Sequence, residues 1–138
     1  MIYVVWEGMV GIPTQEFDQR TFDRRLLMRR RGAALRLYDT NALAVSALWD
    51  IWHQDRTVVL VSYLPHDLKA TLADRLDREG IPHLKLLFST PRTMARTVAI
   101  HQEIRCIVDA DPLHRLLYGP QGLCLPARSA QLMARIDT

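Results

Sequence analysis

Several polar residues that could bind phosphate or a metal ion stand directly after apolar, strand-like segments. Glu7 follows the first such segment, Ser62 ends the second and Asp109 ends the fourth. Arg92 stands in the first turn of the helix-like segment that follows the third strand-like segment. Asp111 comes two residues after Asp109. Carboxylates suit Mg²⁺, whereas a hydroxyl group and a cation suit phosphate oxygens. We therefore expect Glu7 and Asp109 to be candidate catalytic acids and, with Asp111, candidate magnesium ligands. Ser62 and Arg92 would contact phosphate.

The segments that must position these residues alternate regularly between strand-like and helix-like patterns. Strands are expected at 2–5, 57–62, 83–88, 105–110 and 122–127, and helices at 40–55, 66–80, 91–103, 111–119 and 129–136. Such alternation with short connections predicts an α/β fold in three layers, an open parallel sheet of five strands with helices on both faces. Ligands bind to such a sheet beyond the carboxyl ends of its strands, which is where the polar residues stand.

Each predicted helix has an apolar stripe that should face the sheet. The expected buried residues are Leu43, Ala47, Leu48 and Ile51 in the first helix, Leu68, Leu72 and Leu76 in the second, and Ala95, Val98 and Ala99 in the third. Trp49 should point inward, with Trp52 at the edge of the same face. Asp111, followed by proline, is also a good residue to cap the helix at 111–119, so it has a structural alternative to metal binding.

Composition predicts one soluble domain over residues 1–138. Apolar residues make up 49% of the chain and charged residues 24%, which argues against disorder. No apolar run approaches the ~20 residues that span a bilayer, and the N-terminus does not resemble a signal peptide. A cytoplasmic location without membrane contact is therefore expected, with Cys106 and Cys124 as buried, reduced thiols. The five histidines have no metal-ligand spacing.

The order of the polar motifs resembles the haloacid-dehalogenase-like (HAD) superfamily. "VWEGMV" at 5–10 occupies the place of the family's Asp-x-Asp-Gly-Thr motif, and "VVLVSYLP" at 58–65 is similar to its second motif, which ends in Ser or Thr. "FSTPRTMA" at 88–95 offers Arg92 for the basic motif, and "CIVDADPLH" at 106–114 is similar to the acidic fourth motif. The resemblance implies a Rossmann-like (Rossmannoid) sheet and a magnesium-dependent phosphoryl-transfer site.

The chain departs from the family pattern at the first motif. The family's nucleophilic Asp falls on Val5, its acid–base Asp on Glu7, and its Thr on Met9. Valine has no lone pair with which to attack a phosphate, so covalent phosphoryl transfer through this position is impossible. Val5 in place of aspartate also removes one oxygen ligand from the magnesium site that the resemblance implies. With Met9, Trp6 would fill the space that a substrate phosphate needs.

Residues 9–39 fit the alternation least well and carry an excess of positive charge. From Asp18 to Arg36 there are seven arginines and two aspartates, a net charge of +5 in a chain whose net charge is +3. The segment could form a hairpin that turns at Arg31-Gly32, or a helix up to Arg31. We favour the hairpin, and the HAD family has a hairpin flap at this place. Its arms would carry Leu26, Met28, Leu35 and Leu37.

Three functions are compatible with these observations. We expect a non-catalytic HAD-like binding domain that needs no cofactor and acts through a protein partner or its own copy. The expected contact residues are Trp6, Arg24, Arg25, Arg29, Arg30 and Arg31. An alternative is a Mg²⁺-dependent hydrolase in which Glu7 or Asp109 activates water on the metal. A third is nucleic-acid binding through the arginines, which would weaken steeply with salt.

Overall fold

The computed structural model describes residues 1–13 and 35–124. Its strands are β1 Ile2–Val5, β2 Gly11–Pro13, β3 Tyr38–Thr40, β4 Val58–Ser62, β5 Lys85–Phe88, β6 Cys106–Asp109 and β7 Gly122–Cys124. Its α-helices are α1 Ala42–His53, α2 Lys69–Arg78, α3 Pro91–Ile100 and α4 Pro112–Tyr118. The helix predicted at 129–136 lies outside the described residues.

In this part of the chain, five strands form one parallel sheet in the order β5-β4-β1-β6-β7. The central strand β1 pairs with β4 on one side and with β6 on the other. Every residue of these three strands is buried, which explains why they read as continuous runs of β-branched and aliphatic residues. The α/β class and the Rossmann-like arrangement of the sheet are therefore confirmed.

Side chains alternate between the two faces of the sheet, so two apolar clusters form. On one face, Val4 and Leu60 pack with the buried leucines of α1 and α2. On the other face, Val5 and Val61 pack with residues of α3 and with Tyr118 of α4. The sheet is thus covered on both sides, as the sequence predicts, and the carboxyl ends of β1, β4 and β6 lie side by side.

The segment between β1 and α1 contains a two-stranded antiparallel hairpin formed by β2 and β3. A hairpin is predicted in this region, but its second arm begins later than expected. Leu35 and Leu37 precede β3 instead of forming it. The prediction missed β3 because this strand is only three residues long and two of its residues are exposed. The predicted turn at Arg31-Gly32 and the arm residues Leu26 and Met28 lie outside the described residues.

Helix α1 faces the sheet with a slightly different stripe from the predicted one. Ala47, Leu48 and Ile51 are buried as predicted, but Leu43 is 57% exposed, and Ala44 takes the inward position. Positions 44, 47, 48 and 51 are spaced i, i+3, i+4 and i+7 along one helical face, and Leu43 lies at the edge of that face. In the first turn of α1, the small side chain of Ala44 therefore faces the sheet in place of the longer side chain of Leu43.

Two further helix-face predictions, those for Trp49 and Ala99, were wrong, and Ala95 is only partly buried. Trp49 is 39% exposed instead of pointing inward, whereas Trp52 packs partly buried against the core, in keeping with its predicted place at the edge of the buried face. In α3, Ala99 is exposed, and the inward positions are Met94 and Val98. All three predicted leucines of the second helical segment are buried, and so is the free thiol of Cys106. The side chain of Cys124 lies outside what the structure describes.

Candidate functional site

The chain makes a tight turn directly after β1, and this turn positions the first acid. The carbonyl oxygen of Trp6 accepts a hydrogen bond from the N–H of Gly11 at 2.9 Å. Gly8 has a φ of +85°, and a Cβ there would lie 2.7 Å from the Cβ of Ala110. Both the conformation and the close approach therefore require glycine at this position. The turn directs Glu7 toward the neighbouring strand β4.

Glu7 is buried, with only 2% of its surface exposed, and its carboxyl group is held by the end of β4. The hydroxyl of Ser62 donates to Oε1, and the backbone N–H of Tyr63 donates to Oε2 at 3.2 Å. Burial raises the pKa of Glu7 to about 7, because these two neutral donors only partly offset the loss of water. The negative charge of Asp109 acts in the same direction as burial. Glu7 is therefore an acid that titrates near neutral pH.

Asp109 is equally buried, but it has a basic partner. Its Oδ1 accepts a hydrogen bond from the N–H of Asp111 at 2.9 Å. Its Oδ2 accepts one from the hydroxyl of Tyr118 at 2.6 Å and lies 2.8 Å from Nδ1 of His114. The hydrogen bond with Asp109 raises the pKa of His114 and fixes a proton on Nδ1. The other ring nitrogen, Nε2, lies 3.6 Å from a carboxylate oxygen of Asp111.

Two tyrosines connect the two buried acids. The hydroxyl of Tyr118, which donates to Asp109, lies 2.5 Å from the hydroxyl of Tyr63. Burial raises the pKa of both phenols, so they remain neutral hydrogen-bonding groups. The ring of Tyr63 also meets the ring of His114 edge to face, with centroids 5.5 Å apart. Tyr63 thus links the two acids, since its backbone N–H donates to Glu7 and its hydroxyl meets that of Tyr118, and we call this set of contacts the strand-end network.

Apolar side chains fill the space around the end of β1. Val5, at the position of the family's nucleophile, is 1% exposed and belongs to the aliphatic cluster beneath α3. Met9 and Trp6 are also buried. The indole of Trp6 packs against Tyr38, with ring centroids 4.9 Å apart, and the guanidinium of Arg75 lies 5.4 Å from its ring. The expectation that Trp6 contributes to a partner surface is therefore wrong in this structure, because its side chain is covered by the hairpin and α2.

The structure brings together only part of the predicted site. Glu7, Ser62 and Asp109 lie in the strand-end network, whereas Arg92 is exposed on α3 and has no hydrogen bond or ion pair with any of the three. Asp111 caps α4, since its Oδ1 accepts a hydrogen bond from the N–H of residue 113 at 2.9 Å, so its predicted capping role is confirmed. The arginines at 24, 25, 29, 30 and 31 lie outside the described residues.

Sequence analysis missed three members of the network, namely Tyr63, His114 and Tyr118. The histidines have no metal-ligand spacing, and such spacing does not reveal a histidine that pairs with a carboxylate. A usable signal was present, because His114 and Tyr118 are four residues apart in a helix that begins directly after β6. That spacing puts both side chains on one face of α4. The short link from Asp109 turns this face back toward the strand end.

The carboxylate oxygens at the strand ends are engaged with donors of the protein itself. Mg²⁺ requires several charged oxygens with free lone pairs in near-octahedral geometry. In the described parts of the chain, no three Asp, Glu, His or Cys side chains are grouped to hold a metal ion. The oxygens of Glu7 and Asp109 instead accept hydrogen bonds from within the protein.

Comparisons with known proteins add no assignment. No family model matches this chain, and a search among curated proteins gives no significant match. None of the helices within residues 35–124 is both long and apolar enough to cross a membrane.

Proposed function

We propose that this protein is a non-catalytic, HAD-like binding domain that has lost the phosphoryl-transfer nucleophile and acts through a protein partner. The observation that carries the proposal is Val5, a buried aliphatic residue at the end of the central strand. The tight turn after β1 and the hairpin β2–β3 support the resemblance, because the family has a turn and a flap in the same order. Without an attacking oxygen at this position, the family's covalent chemistry has no starting point.

The surroundings of the two acids support the same proposal. Glu7 accepts hydrogen bonds from Ser62 and Tyr63, and Asp109 accepts three from α4 and its N-cap residue Asp111. Buried polar groups that are fully paired within the protein rigidify the region they connect. Here they link the ends of β1, β4 and β6 to helix α4. The strand-end network therefore acts as a structural element that takes the place of a substrate pocket.

An activity assay tests the loss of catalysis. Hydrolysis of p-nitrophenyl phosphate should stay at background with millimolar Mg²⁺ for the wild type and for Glu7→Gln. Asp50→Asn, an exposed change on α1, serves as the matched control. A magnesium-dependent rate that disappears in Glu7→Gln and persists in Asp50→Asn would refute the proposal.

Restoring the family's nucleophile gives a second test. Val5→Asp should yield no hydrolysis and should destabilise the fold by about 3 kcal/mol or more, because the new carboxylate is buried among aliphatic side chains without a partner. Met9→Leu, another change at the same strand end, should be tolerated, since it nearly conserves apolar volume. A stable Val5→Asp protein with phosphatase activity would show that the strand end can open to substrate.

One observation favours the alternative of a metal-dependent hydrolase. A strand-end acid whose pKa is raised to about 7 has the property of a general base that works near neutral pH. In that case Mn²⁺ should broaden the NMR signals of Tyr63 and Asp111, whose backbone N–H groups contact the two acids. The same signals should stay sharp in the Glu7→Gln variant. Unchanged spectra of the wild type at millimolar Mn²⁺ would remove this alternative.

A further inference from the structure

The outer face of α4 presents three large apolar side chains to solvent. Leu113, Leu116 and Leu117 are 61%, 81% and 48% exposed. A neighbouring face of the helix is fixed by His114 and Tyr118, which reach into the strand-end network. Spacings of three and four residues place the leucines next to one another. Single exposed leucines are ordinary on a protein surface, but a contiguous group marks an interaction site, and we call this group the α4 leucine patch.

The charged residues of the surrounding helices all have the same sign. Helix α3 packs beside α4, and together the two helices contain three exposed arginines, Arg92, Arg96 and Arg115. Neither helix contains an aspartate or a glutamate. The nearest acid along the chain, Asp111, is already engaged as the cap of α4. The helices on the other face of the sheet are mixed in charge, with Asp50 in α1 and Asp74 and Asp77 beside Lys69, Arg75 and Arg78 in α2.

We infer that the α4 leucine patch binds an amphipathic helical segment of a partner protein, in which acidic residues border the apolar stripe. Leucines provide the apolar contact on which a helix with i, i+3, i+4 and i+7 anchors can lie. The arginines of α3 and α4 would pair with the partner's carboxylates, which favours this partner over a neutral or basic one. The inference rests on the proposed binding role and adds the surface and the chemistry of the partner.

A second copy of this chain is a poorer occupant of the same surface. In a pair of copies joined through α4, Arg115 and the arginines of α3 would carry the same charge on both sides. Neither helix has a carboxylate with which to compensate them. Like charges placed across an interface cost binding free energy, whereas an acidic segment converts the same charges into attraction.

The test uses a fluorescent model peptide of about 15 residues, with leucines at i, i+3, i+4 and i+7 and glutamates at most other positions. A second peptide carries lysine in place of every glutamate. Titrated with the full chain, the glutamate peptide should bind, and the lysine peptide should bind about tenfold more weakly or not at all. Leu116→Ser should weaken binding about tenfold, and Arg115→Glu several-fold. Leu43→Ser, a 57%-exposed leucine on α1, should leave the affinity unchanged.

Several results would overturn the inference. These are no binding of the glutamate peptide at millimolar concentration, equal binding of both peptides, or equal effects of Leu116→Ser and Leu43→Ser. A large fall in the melting temperature of Leu116→Ser would show that this side chain is packed within the monomer. A dimer, or binding to phosphatidylserine vesicles, that Leu116→Ser abolishes would assign the patch to a second copy or to a membrane. Phosphatase activity in the assay above would refute the proposed loss of catalysis without affecting the peptide result.

Discussion

Glu7 and Asp109 stand at the carboxyl ends of neighbouring strands of the sheet and are buried to the same degree, but they are stabilised by different groups. Glu7 accepts hydrogen bonds from one hydroxyl and one backbone amide, both neutral. Asp109 accepts three hydrogen bonds, and one of its partners is the imidazole of His114. The difference arises because the segment after β6 enters a helix that carries a basic side chain, whereas the turn after β1 provides none.

This comparison shows how the same strand-end position can give two kinds of buried acid. Two neutral donors do not offset the loss of water around Glu7, so its pKa rises to about 7. Around Asp109 an additional donor can carry a positive charge, and the pair raises the pKa of His114. Breaking such a pair leaves several donors unpaired, while neutralising Glu7 leaves its hydrogen bonds largely in place. The two acids should therefore respond very differently to substitution.

The largest effect is expected for removal of Asp109. Asp109→Ala leaves the N–H of Asp111, the hydroxyl of Tyr118 and a ring nitrogen of His114 without an acceptor, so we expect a loss of about 3–5 kcal/mol in the free energy of unfolding. Urea denaturation measures this loss. Asp111→Ala, which removes only the cap of α4, should cost about 1 kcal/mol. Equal losses in the two variants would show that Asp109 does not organise the network.

Glu7→Gln should change the pH dependence of stability. Between pH 4.5, the ordinary pKa, and about 7, folded Glu7 retains its proton while the unfolded chain releases it, so wild-type stability falls as pH rises. The difference between these values corresponds to about 3 kcal/mol at most. Glutamine cannot ionise, so the variant should gain up to that amount relative to the wild type between about pH 4.5 and about pH 8.

The matched control for this prediction is Asp50→Asn, which neutralises an exposed acid on α1. Its stability should follow the wild type across the whole pH range. If Glu7→Gln also followed the wild type, Glu7 would be ionised in the folded protein at low pH, and the contrast with Asp109 would disappear.

Sequence patterns were sufficient to predict the sheet, but they were not sufficient to predict which residues of the candidate site contact one another. The run Val58–Ser62 is buried throughout, and such a run has few alternatives in an alternating α/β chain. The strand ends therefore fell in the right places, and with them Glu7, Ser62 and Asp109. Arg92 was placed correctly at the start of α3, but the pattern does not determine where a long, exposed side chain points. The spacing of residues therefore did not predict that Arg92 makes no hydrogen bond or ion pair with the acids.

Two other features depended on tertiary packing. Trp6 lies at a strand end, which usually borders solvent, but the hairpin and Arg75 of α2 cover its ring. This covering requires contacts between residues far apart in the sequence, so periodicity gave no sign of it. The role of His114 could have been predicted in part from the sequence, because its position four residues before Tyr118 in a helix is a local feature. Its link to Asp109 follows only once the short connection from β6 is known.

A smaller effect is expected at His114, and its sign follows from the raised pKa. Folded His114 retains its proton to higher pH than the unfolded chain, so its charged contact with Asp109 contributes stability at low pH that is lost as pH rises through the folded pKa. His114→Asn keeps an N–H near the position of Nδ1 but cannot become charged. The variant should therefore be about 1 kcal/mol less stable than the wild type at about pH 5.5, and the gap should narrow by about pH 9.

The control for His114 is His101→Asn, which alters an exposed histidine beside Glu103. Its effect should be small at both pH values, because an exposed ion pair is screened by water. A gap for His114→Asn that stays constant with pH would mean that the imidazole acts only as a neutral donor to Asp109. The two acids would then differ in the number of their donors and not in charge.

The smallest effect is expected for Tyr63→Phe, which removes the hydroxyl that joins the two halves of the network. This change keeps the hydrogen bond from the backbone N–H of residue 63 to Glu7 and the one from the hydroxyl of Tyr118 to Asp109. Only one hydrogen bond is lost, so we expect the free energy of unfolding to fall by about 0.5 kcal/mol. Tyr118→Phe should cost more, because Asp109 then also loses a donor. Thermal unfolding of both variants measures the difference. If Tyr63→Phe proved the more damaging of the two, the connection between the acids would matter more than the donors around each one.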